Sequence, residues 1–170
     1  REEDTLIHRP VFYDYPSDLN AAGLDTQYLF GKELMVIPVI NEDNSVRIYL
    51  PRGQWTDFYD DTVEEGGKWM EQVVPLDKIP VYVKENAIIP IGPEMEYIGQ
   101  KEDDRWEIHC YPTEGKGRFC SYEHGFTVEM DAVDDRVKID CTRTDMNLTF
   151  VLHNIRPAGV QADGQDIDFR

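Results

Sequence analysis

The fold is decided by the stretch from Gln27 to Pro93, which contains QYLFGKELMVIPVI (27–40), VRIYLPRGQWTDFYDD (46–61) and VPLDKIPVYVKENAIIPIGP (74–93). Its β-branched and aromatic runs are short, and Pro, Gly and Asn interrupt them at close intervals. That spacing is typical of strands joined by turns. The chain beyond residue 104 continues in the same way. We therefore predict an all-β protein with two antiparallel β-sandwich domains, preceded by a short, partly helical segment.

Length and charge narrow the function classes. A chain of 170 residues can bury one good core or two small ones. Its 34 acidic and 17 basic residues give a formal net charge of −17. A surface of this sign repels phosphates, so we expect neither nucleic acid nor an anionic membrane as a partner. Neutral ligands such as sugars, and basic proteins, stay compatible with the charge.

The cysteines and the N-terminus bear on the cellular compartment. Cys110, Cys120 and Cys141 cannot all pair within one chain, and their spacing fits no CxxC metal site. Cys110 and Cys120 fall on strands expected to be neighbours, which leaves a disulfide open, although free thiols in a reducing compartment are favoured. No signal peptide is visible, but the chain starts without Met. The cytoplasm is slightly favoured, and secretion is not excluded because an N-terminus is missing.

Local signals predict several elements. Ser17 after a proline is a helix cap, so we predict a short helix over 17–24. The apolar run LMVIPVI (34–40) predicts a strand buried on both faces. Asn86 tolerates the left-handed conformation that a tight hairpin or bulge needs between the strands over 79–83 and 87–91. Residues 92–104 form the best domain boundary, and Asp163-Gly164 predicts a hairpin.

The polar residues do not form a recognisable catalytic or metal site. A glycosidase needs two carboxyl groups about 5–10 Å apart, one with a raised pKa, and the clusters Asp14/Asp18 and Asp57/Asp60/Asp61 are those that chance produces in an acidic domain. Asx-rich turns at 41–44 and 131–135 offer oxygen ligands for calcium but lack the spacing of a calcium loop, which favours turn capping. The four histidines are scattered. We therefore predict no catalytic residue, metal or cofactor in this chain.

Aromatic side chains are the remaining candidates, because sugars stack on their faces. Trp55 and Trp106 fall inside predicted strands, which favours a place in the core. Trp69 follows the Gly66-Gly67 loop, so it is the tryptophan that could be exposed and bind a sugar.

The order of several motifs is similar to one known family. The first are R-P-x-x-x-x-Y-P-x-D and D-x-Q-Y-L-F-G-x-x-L-M-V-x-P-V, carried by Arg9, Pro10, Tyr15, Pro16, Asp18, Asp25, Gln27, Tyr28, Leu29, Phe30, Gly31, Leu34, Met35, Val36, Pro38 and Val39. The pattern continues through V-x-I-Y-L-P-x-G-x-W-x-D-F (46–58), P-L-D-x-I-P-V-Y-V (75–83) and A-I-I-P (87–90), where Asn86 replaces a usual Gly. In this order they resemble glycoside hydrolase family 31, the α-glucosidases and α-xylosidases. S-Y-E-H-G (121–125) resembles the distal part of that family.

The resemblance implies a division of the chain and a role. Residues 1–32 would be the last strand-to-helix segment of the family's catalytic barrel, 33–98 its proximal β-sandwich and 99–170 its distal β-sandwich. The two catalytic Asp residues of the family lie on earlier barrel strands, so the chain would be a non-catalytic accessory region of a retaining α-glycosidase. Its partner would be the barrel of the parent enzyme. Arg9 matches a family motif and is a candidate substrate-binding residue.

Two other hypotheses stay open. One is an independent carbohydrate-binding module with Trp69 and tyrosines as a stacking platform. The other is a calcium-stabilised sandwich of the adhesion type. Oligomeric state and sugar specificity do not follow from the sequence.

Overall fold

The computed structural model describes residues 6–142 and 144–167 of the chain, and its regular structure is almost entirely β. Its helical elements are one turn of α-helix, α1 (Val11–Asp14), and a 3₁₀ helix over Ala21–Gly23. The all-β prediction is therefore confirmed. Residues 1–5 of the predicted barrel segment and residues 168–170 of the predicted distal sandwich lie outside the described residues. Among the described residues, no helix is long and apolar enough to cross a membrane.

The first half of the chain builds one large and one small sheet. Its strands are β1 (His8–Pro10), β2 (Tyr28–Phe30), β3 (Leu34–Val36), β4 (Ser45–Leu50), β5 (Gln54–Asp57), β6 (Val63–Glu65), β7 (Lys68–Val73), β8 (Val81–Lys84) and β9 (Ile88–Ile91). Within the described chain, six of them form a sheet in the order β1-β2-β3-β8-β5-β6, with antiparallel neighbours throughout. Strands β4 and β7 form a separate antiparallel pair.

The N-terminal segment shares the core of these two sheets. Val11 and Leu29 are fully buried in the same apolar cluster as Met35, Ile48 and Trp55. The segment folds onto this core through Val11 and Leu29, whereas the Phe12 side chain is 46% exposed. Because β1 and β2 are hydrogen-bonded into the large sheet, the segment is part of the first unit and not a detached piece.

The second half adds two facing sheets and a terminal hairpin. Its strands are β10 (Arg105–Cys110), β11 (Gly115–Ser121), β12 (Phe126–Val133), β13 (Arg136–Cys141), β14 (Asn147–Leu152), β15 (Val160–Ala162) and β16 (Gln165–Ile167). One sheet has the order β14-β10-β9 and the other β11-β12-β13, and both contribute to a second apolar core. Strands β10 and β14 run parallel, an exception to the antiparallel pairing that the sequence predicted. The β15–β16 hairpin turns at Asp163-Gly164, both with positive φ, as predicted.

The turn at Asn86 sends the chain from the first unit to the second. Asn86 has a φ of 59°, so the predicted left-handed conformation is confirmed. The hairpin is not formed, because β8 pairs with β3 and β5 whereas β9 pairs with β10. The Asn86 N–H donates to the Tyr111 carbonyl at 2.9 Å, which directs the following strand away from β8. Strand β9 precedes the predicted boundary at 92–104, yet its hydrogen bonds and the packing of Ile88 belong to the second unit.

Two local predictions were wrong. Residues 17–24 form turns and a single 3₁₀ turn instead of an α-helix, because the Asp18 carboxylate accepts the Asn20 N–H and competes with helical bonding. The run 34–40 is a strand only as far as Val36, and Ile40 is 71% exposed. Pro38 lacks the N–H that a continuing strand would donate.

The cysteines and tryptophans can be placed directly. Cys110 lies on β10 and Cys120 on β11, which belong to different sheets, so the expected neighbouring strands are absent and all three cysteines are free. Burial raises the pKa of the Cys110 thiol to about 12, which keeps it protonated. Trp55 is fully buried and Trp106 packs against the second core, as predicted.

Candidate functional site

Arg9 is buried inside the N-terminal segment. It lies on β1 opposite Leu29 and is 2% exposed. Its Nη2 donates to the Gly31 carbonyl at 2.6 Å and forms an ion pair with the Asp14 carboxylate at 2.8 Å. These contacts tie α1 and the end of β2 to β1. Its Nε is buried without a hydrogen-bond partner among the described residues.

Trp69 lies at the surface of the β4–β7 pair, where it is 38% exposed. It is opposite Tyr49 in the register, with the ring centroids 5.1 Å apart. The Arg47 guanidinium lies 4.3 Å from the centroid of the indole ring. The indole Nε1 donates to the Asn20 side-chain carbonyl at 3.3 Å. One face and the polar edge of the indole are therefore already in contact with protein.

The N-terminal segment reaches this strand pair through Asp18 and Asn20. The Tyr49 hydroxyl donates to the Asp18 carboxylate at 2.6 Å, and the Asn20 amide donates to the same hydroxyl at 3.4 Å. Burial, followed by the bond to Asp18, raises the pKa of Tyr49. The phenol therefore stays protonated at physiological pH and remains a donor to Asp18.

Gln27 makes the most specific contact between the segment and β4. It is 3% exposed, its Nε2 donates to the Tyr49 carbonyl at 2.6 Å, and its Oε1 accepts the Tyr49 N–H at 2.9 Å. The side-chain amide thus supplies the partners that a further strand would supply at the free edge of β4. Sequence reasoning included Gln27 in a motif but gave it no role. The available signal was a Gln directly before the short run Tyr28, Leu29 and Phe30.

The structure does not bring Arg9 and Trp69 together. Arg9 contacts Gly31, Asp14 and the Tyr13 ring, whereas Trp69 contacts Asn20, Tyr49 and Arg47. Among these described contacts, no partner is shared. The two residues that the sequence predicted to bind substrate therefore lie in two separate contact sets, both of which stabilise the N-terminal segment.

The carboxylate clusters are occupied by structural contacts. Asp14 pairs with Arg9 and Asp18 accepts from Tyr49. Asp57 and Asp60 accept backbone N–H groups two residues further on, as turn-capping residues do. The bonds from Thr62 lower the pKa of Asp60, the opposite of what a general acid requires.

The Asx-rich turn at 41–44 is also self-contained. The Asp43 carboxylate accepts the backbone N–H and the hydroxyl of Ser45, and these bonds lower its pKa. The Asn41 amide donates to the Ser45 carbonyl at 2.8 Å. Among the described residues, no group of three or more His, Cys, Asp or Glu side chains has the geometry to hold a metal ion.

Two of the scattered histidines come together at the junction of the two units. His109 Nδ1 and His153 Nε2 are 2.8 Å apart, and His153 Nδ1 lies 2.7 Å from the Asp61 carboxylate. His109 Nε2 lies 3.3 Å from Glu107. No sequence motif predicted this cluster, because the two histidines are 44 positions apart and Asp61 is 92 positions from His153.

Comparison with known proteins identifies the family. The model of the "Glycosyl hydrolase family 31 C-terminal domain" matches residues 4–89, which is half of the chain. The chain belongs to glycoside hydrolase family 31.

Relatives and solved structures agree with this family 31 assignment. An α-xylosidase of Emericella nidulans is 35% identical over 100 residues, which are 54% of this chain and 13% of the relative. Alpha-glucosidase 2 of Bacillus thermoamyloliquefaciens is 27% identical over 140 residues, 76% of this chain and 18% of the relative. The structure of a cycloalternan-forming enzyme from Listeria monocytogenes, determined with a pentasaccharide substrate, aligns with a TM-score of 0.87 and 27% identity. It covers 95% of this chain and 16% of that one.

The region matched by the family 31 model includes both contact sets, that of Arg9 and that of Trp69. Arg9, Gln27, Tyr49 and Trp69 lie within residues 4–89, and the matched region begins within the segment that the sequence assigned to the barrel. His109 and His153 lie beyond the match. The chain spans 13% and 18% of the two curated relatives, so most of each of those proteins lies outside the part that this chain resembles.

Proposed function

We propose that this chain is the non-catalytic C-terminal accessory region of a family 31 retaining α-glycosidase whose full polypeptide hydrolyses α-glucosides or α-xylosides. The observation that carries the proposal is the match of the family's C-terminal domain to residues 4–89, in a chain that spans 13% and 18% of the α-xylosidase and the α-glucosidase named above. The names of those relatives, an α-xylosidase and an α-glucosidase, supply the two substrate classes.

The N-terminal segment has the surface that such a region needs towards a catalytic domain. Its exposed apolar side chains are Leu6 (68%), Ile7 (64%), Phe12 (46%), Tyr13 (54%), Leu19 (91%) and Phe30 (43%). Exposed apolar groups collected on one segment favour a protein partner. They lie on the segment where the family match begins, so we propose that the catalytic barrel of the parent enzyme covers them.

The buried contacts of the N-terminal segment with the first unit explain how the segment would stabilise a barrel packed on it. Gln27 and Asp18 bond the segment to Tyr49, and Arg9 holds α1 against β2. A barrel packed on Phe12 and Tyr13 would thereby rest on the first core. The predicted contact of Arg9 with substrate stays a prediction, and its burial favours a positioning role over contact with a sugar.

The test compares the chain with the parent polypeptide that carries it. We expect the parent to release p-nitrophenol from p-nitrophenyl α-glucoside or α-xyloside, and the isolated chain to release none. In the parent, Tyr13→Arg should lower activity and thermal stability, because a charge would enter the proposed interface. Tyr97→Arg is the matched control, since Tyr97 is 66% exposed and lies outside the segment. Equal effects of the two substitutions would contradict the interface.

The partial exposure of Trp69 favours a second candidate, a carbohydrate-binding module. Arg47 covers one face of the indole, which leaves a limited surface for stacking. Titration with malto- and xylo-oligosaccharides, followed by Trp fluorescence, distinguishes the two functions. A saturable signal that Trp69→Ala removes would support binding, and a flat titration would leave the accessory role alone.

A further inference from the structure

Strand β7 has a free edge. It pairs with β4 in a sheet of two strands, with Trp69 opposite Tyr49. Both main-chain groups of Tyr49 bond to the Gln27 side chain, so Tyr49 and Trp69 form a pair that exchanges no hydrogen bonds across the ladder. Because such pairs alternate along antiparallel strands, Trp69, Glu71 and Val73 direct their N–H and C=O groups away from β4. Within the described residues, none of these groups has a hydrogen-bond partner.

The opposite edge of the pair is protected, whereas the edge of β7 is not. Free strand edges attract other strands, and proteins protect them with side-chain bonds, charges or proline. On β4, side chains bond to the main-chain groups of Tyr49 and of Ser45, whose N–H donates to the Asp43 carboxylate at 3.0 Å. Strand β7 contains no proline, and its lysine, Lys68, is held by Glu64 at 2.9 Å. A further strand can therefore add to β7.

The side chains along this edge are exposed. On one face of β7, Trp69 is 38% exposed and Val73 is 76% exposed, and Glu71 between them is also exposed. The same three residues carry the unpaired main-chain groups, so an added strand would place one side chain beside each of them. The edge thus presents an aromatic, an acidic and an aliphatic side chain in turn. Aromatic side chains are enriched at protein interfaces.

The charge near the edge selects the sign of a partner. Glu71 on β7 and Glu65 on β6 are exposed, and neither forms an ion pair within the described residues. Asp43 lies in the turn whose Asn44 carbonyl accepts the N–H of Val74, the residue after β7. Carboxylates therefore lie at both ends and in the middle of the edge, on a chain with a net charge of −17. They attract Lys and Arg and repel an acidic segment, including a second copy of this chain.

We propose that the edge of β7 is a docking site for an extended, basic segment of a partner protein, which adds to the β4–β7 pair as a further strand. Its main chain bonds to Trp69, Glu71 and Val73. In this mode of recognition the main-chain bonds supply affinity and alternate side chains supply specificity. The preferred segment has Lys or Arg beside Glu71 and apolar side chains beside Trp69 and Val73. The site goes beyond the accessory role, because β7 lies outside the N-terminal segment that we propose contacts the barrel.

Three acetylated and amidated peptides test the docking to the 170-residue chain. The first, Lys-Val-Thr-Lys-Thr-Val-Lys, has the proposed pattern. The second has Glu in place of each Lys, which reverses the charge. The third has Pro in place of each Thr, which keeps the charge but removes main-chain donors and disfavours a strand. Binding of the first peptide only is the expected result. Equal binding of the proline peptide would show attraction by charge without strand addition and would overturn the proposal.

Amide NMR of the chain locates the bound peptide. At saturation with the first peptide, hydrogen exchange of the Trp69, Glu71 and Val73 amides should slow at least tenfold. Exchange of Met70 and Gln72, whose main-chain groups face β4, should stay unchanged. The absence of saturable shifts at the three edge amides would overturn the proposal. So would protection of these amides in the chain alone that rises with its concentration, because a second copy would then cover the edge.

Charge reversal at the edge tests the selection of a basic segment. Glu71→Lys should weaken binding of the first peptide at least fivefold and allow the acidic peptide to bind. Glu102→Lys is the matched control, since Glu102 is exposed but lies between β9 and β10, and it should leave both affinities unchanged. Equal weakening by the two substitutions would show that net charge alone attracts the peptide, which would contradict a docking site on β7.

Discussion

The side-chain amide of Gln27 forms two hydrogen bonds with the main chain of Tyr49, donating to its carbonyl at 2.6 Å and accepting its N–H at 2.9 Å. The two residues are 22 positions apart, and both are almost completely buried. This pairing satisfies the free edge of β4 and attaches the N-terminal segment to the first unit. The proposed accessory role depends on that attachment, because the segment carries the exposed apolar side chains that we propose the barrel covers.

Gln27→Ala should lower the free energy of unfolding by about 2–4 kcal/mol, because two buried main-chain groups of Tyr49 lose their partners. Gln27→Glu should cost at least as much, since a carboxylate would face the Tyr49 carbonyl. Urea unfolding measures both. Gln165→Ala, at an exposed position of β16, is the control and should stay within about 0.5 kcal/mol of the unmodified chain. If Gln27→Ala changed the free energy of unfolding as little as Gln165→Ala does, the proposed attachment of the segment to β4 would be contradicted.

Gly117→Ala should destabilise the second unit strongly. A Cβ at this position would lie 2.3 Å from the Asn86 carbonyl oxygen, a backbone atom that cannot move without shifting the turn between the units. We expect a loss of about 2–4 kcal/mol in urea unfolding, in the range of severe overpacking. Gly159→Ala meets nothing within 4 Å and is the matched control. Equal stabilities of the two variants would show that β11 does not cross the turn this closely.

Substitutions of Asn86 separate its backbone conformation from its side-chain bonds. Asn86→Gly keeps the positive φ but loses the bond from the Thr113 N–H, 3.0 Å long, so we expect a cost of about 1–2 kcal/mol. Asn86→Ala also places a Cβ in the left-handed region and should cost about 1 kcal/mol more. Asn44→Gly, at another position with positive φ, should be close to neutral. If Asn86→Gly were neutral as well, the Thr113 bond would contribute nothing.

Alkaline pH should destabilise the fold through its buried tyrosines. Burial raises the pKa of Tyr82 and Tyr111 to about 12, with smaller effects of Asp57 and Asp61, from an ordinary value of 10.0. Below pH 10 both states are protonated and stability is unaffected. As the pH rises from 10 through 12, the unfolded chain releases these protons first, so stability falls. Urea unfolding at pH 9, 10.5 and 11.5 should show a shallower fall for Tyr82→Phe than for the unmodified chain, and an unchanged slope would contradict the burial effect.

Local features were predictable from the sequence, whereas partners distant in the chain were not. The turn at Asp163-Gly164 and the left-handed Asn86 follow from residue types at a few neighbouring positions, and so does the burial of Trp55. The sheet to which β9 belongs depends on Tyr111, 25 positions after Asn86, and strand patterns do not encode such a partner. The helix predicted over 17–24, with Ser17 as its cap, does not form because the Asp18 side chain accepts the Asn20 N–H and the Tyr49 hydroxyl and so competes with helical bonding.

In the candidate sites too, single residues were predictable from the sequence, whereas their contacts with distant residues were not. The family motifs contained Arg9 and Gln27, but only the structure shows that Arg9 is buried against Asp14 and that Gln27 bonds to Tyr49. No sequence pattern predicted the contact between His109 and His153, because one residue lies on β10 and the other follows β14. Spacing rules detect ligands on one strand or helix, whereas this contact joins the ends of two paired strands that are distant in the chain.

The central claim is that this family 31 region supports catalysis without performing it. The most direct measurement is the release of p-nitrophenol from p-nitrophenyl α-glucoside and α-xyloside by the purified chain and by the parent polypeptide at equal molar concentration. We predict release by the parent and a rate for the chain equal to that of the protein-free blank. Hydrolysis by the isolated chain, abolished when a carboxylate such as Asp14 or Asp18 is replaced by Asn, would contradict the account.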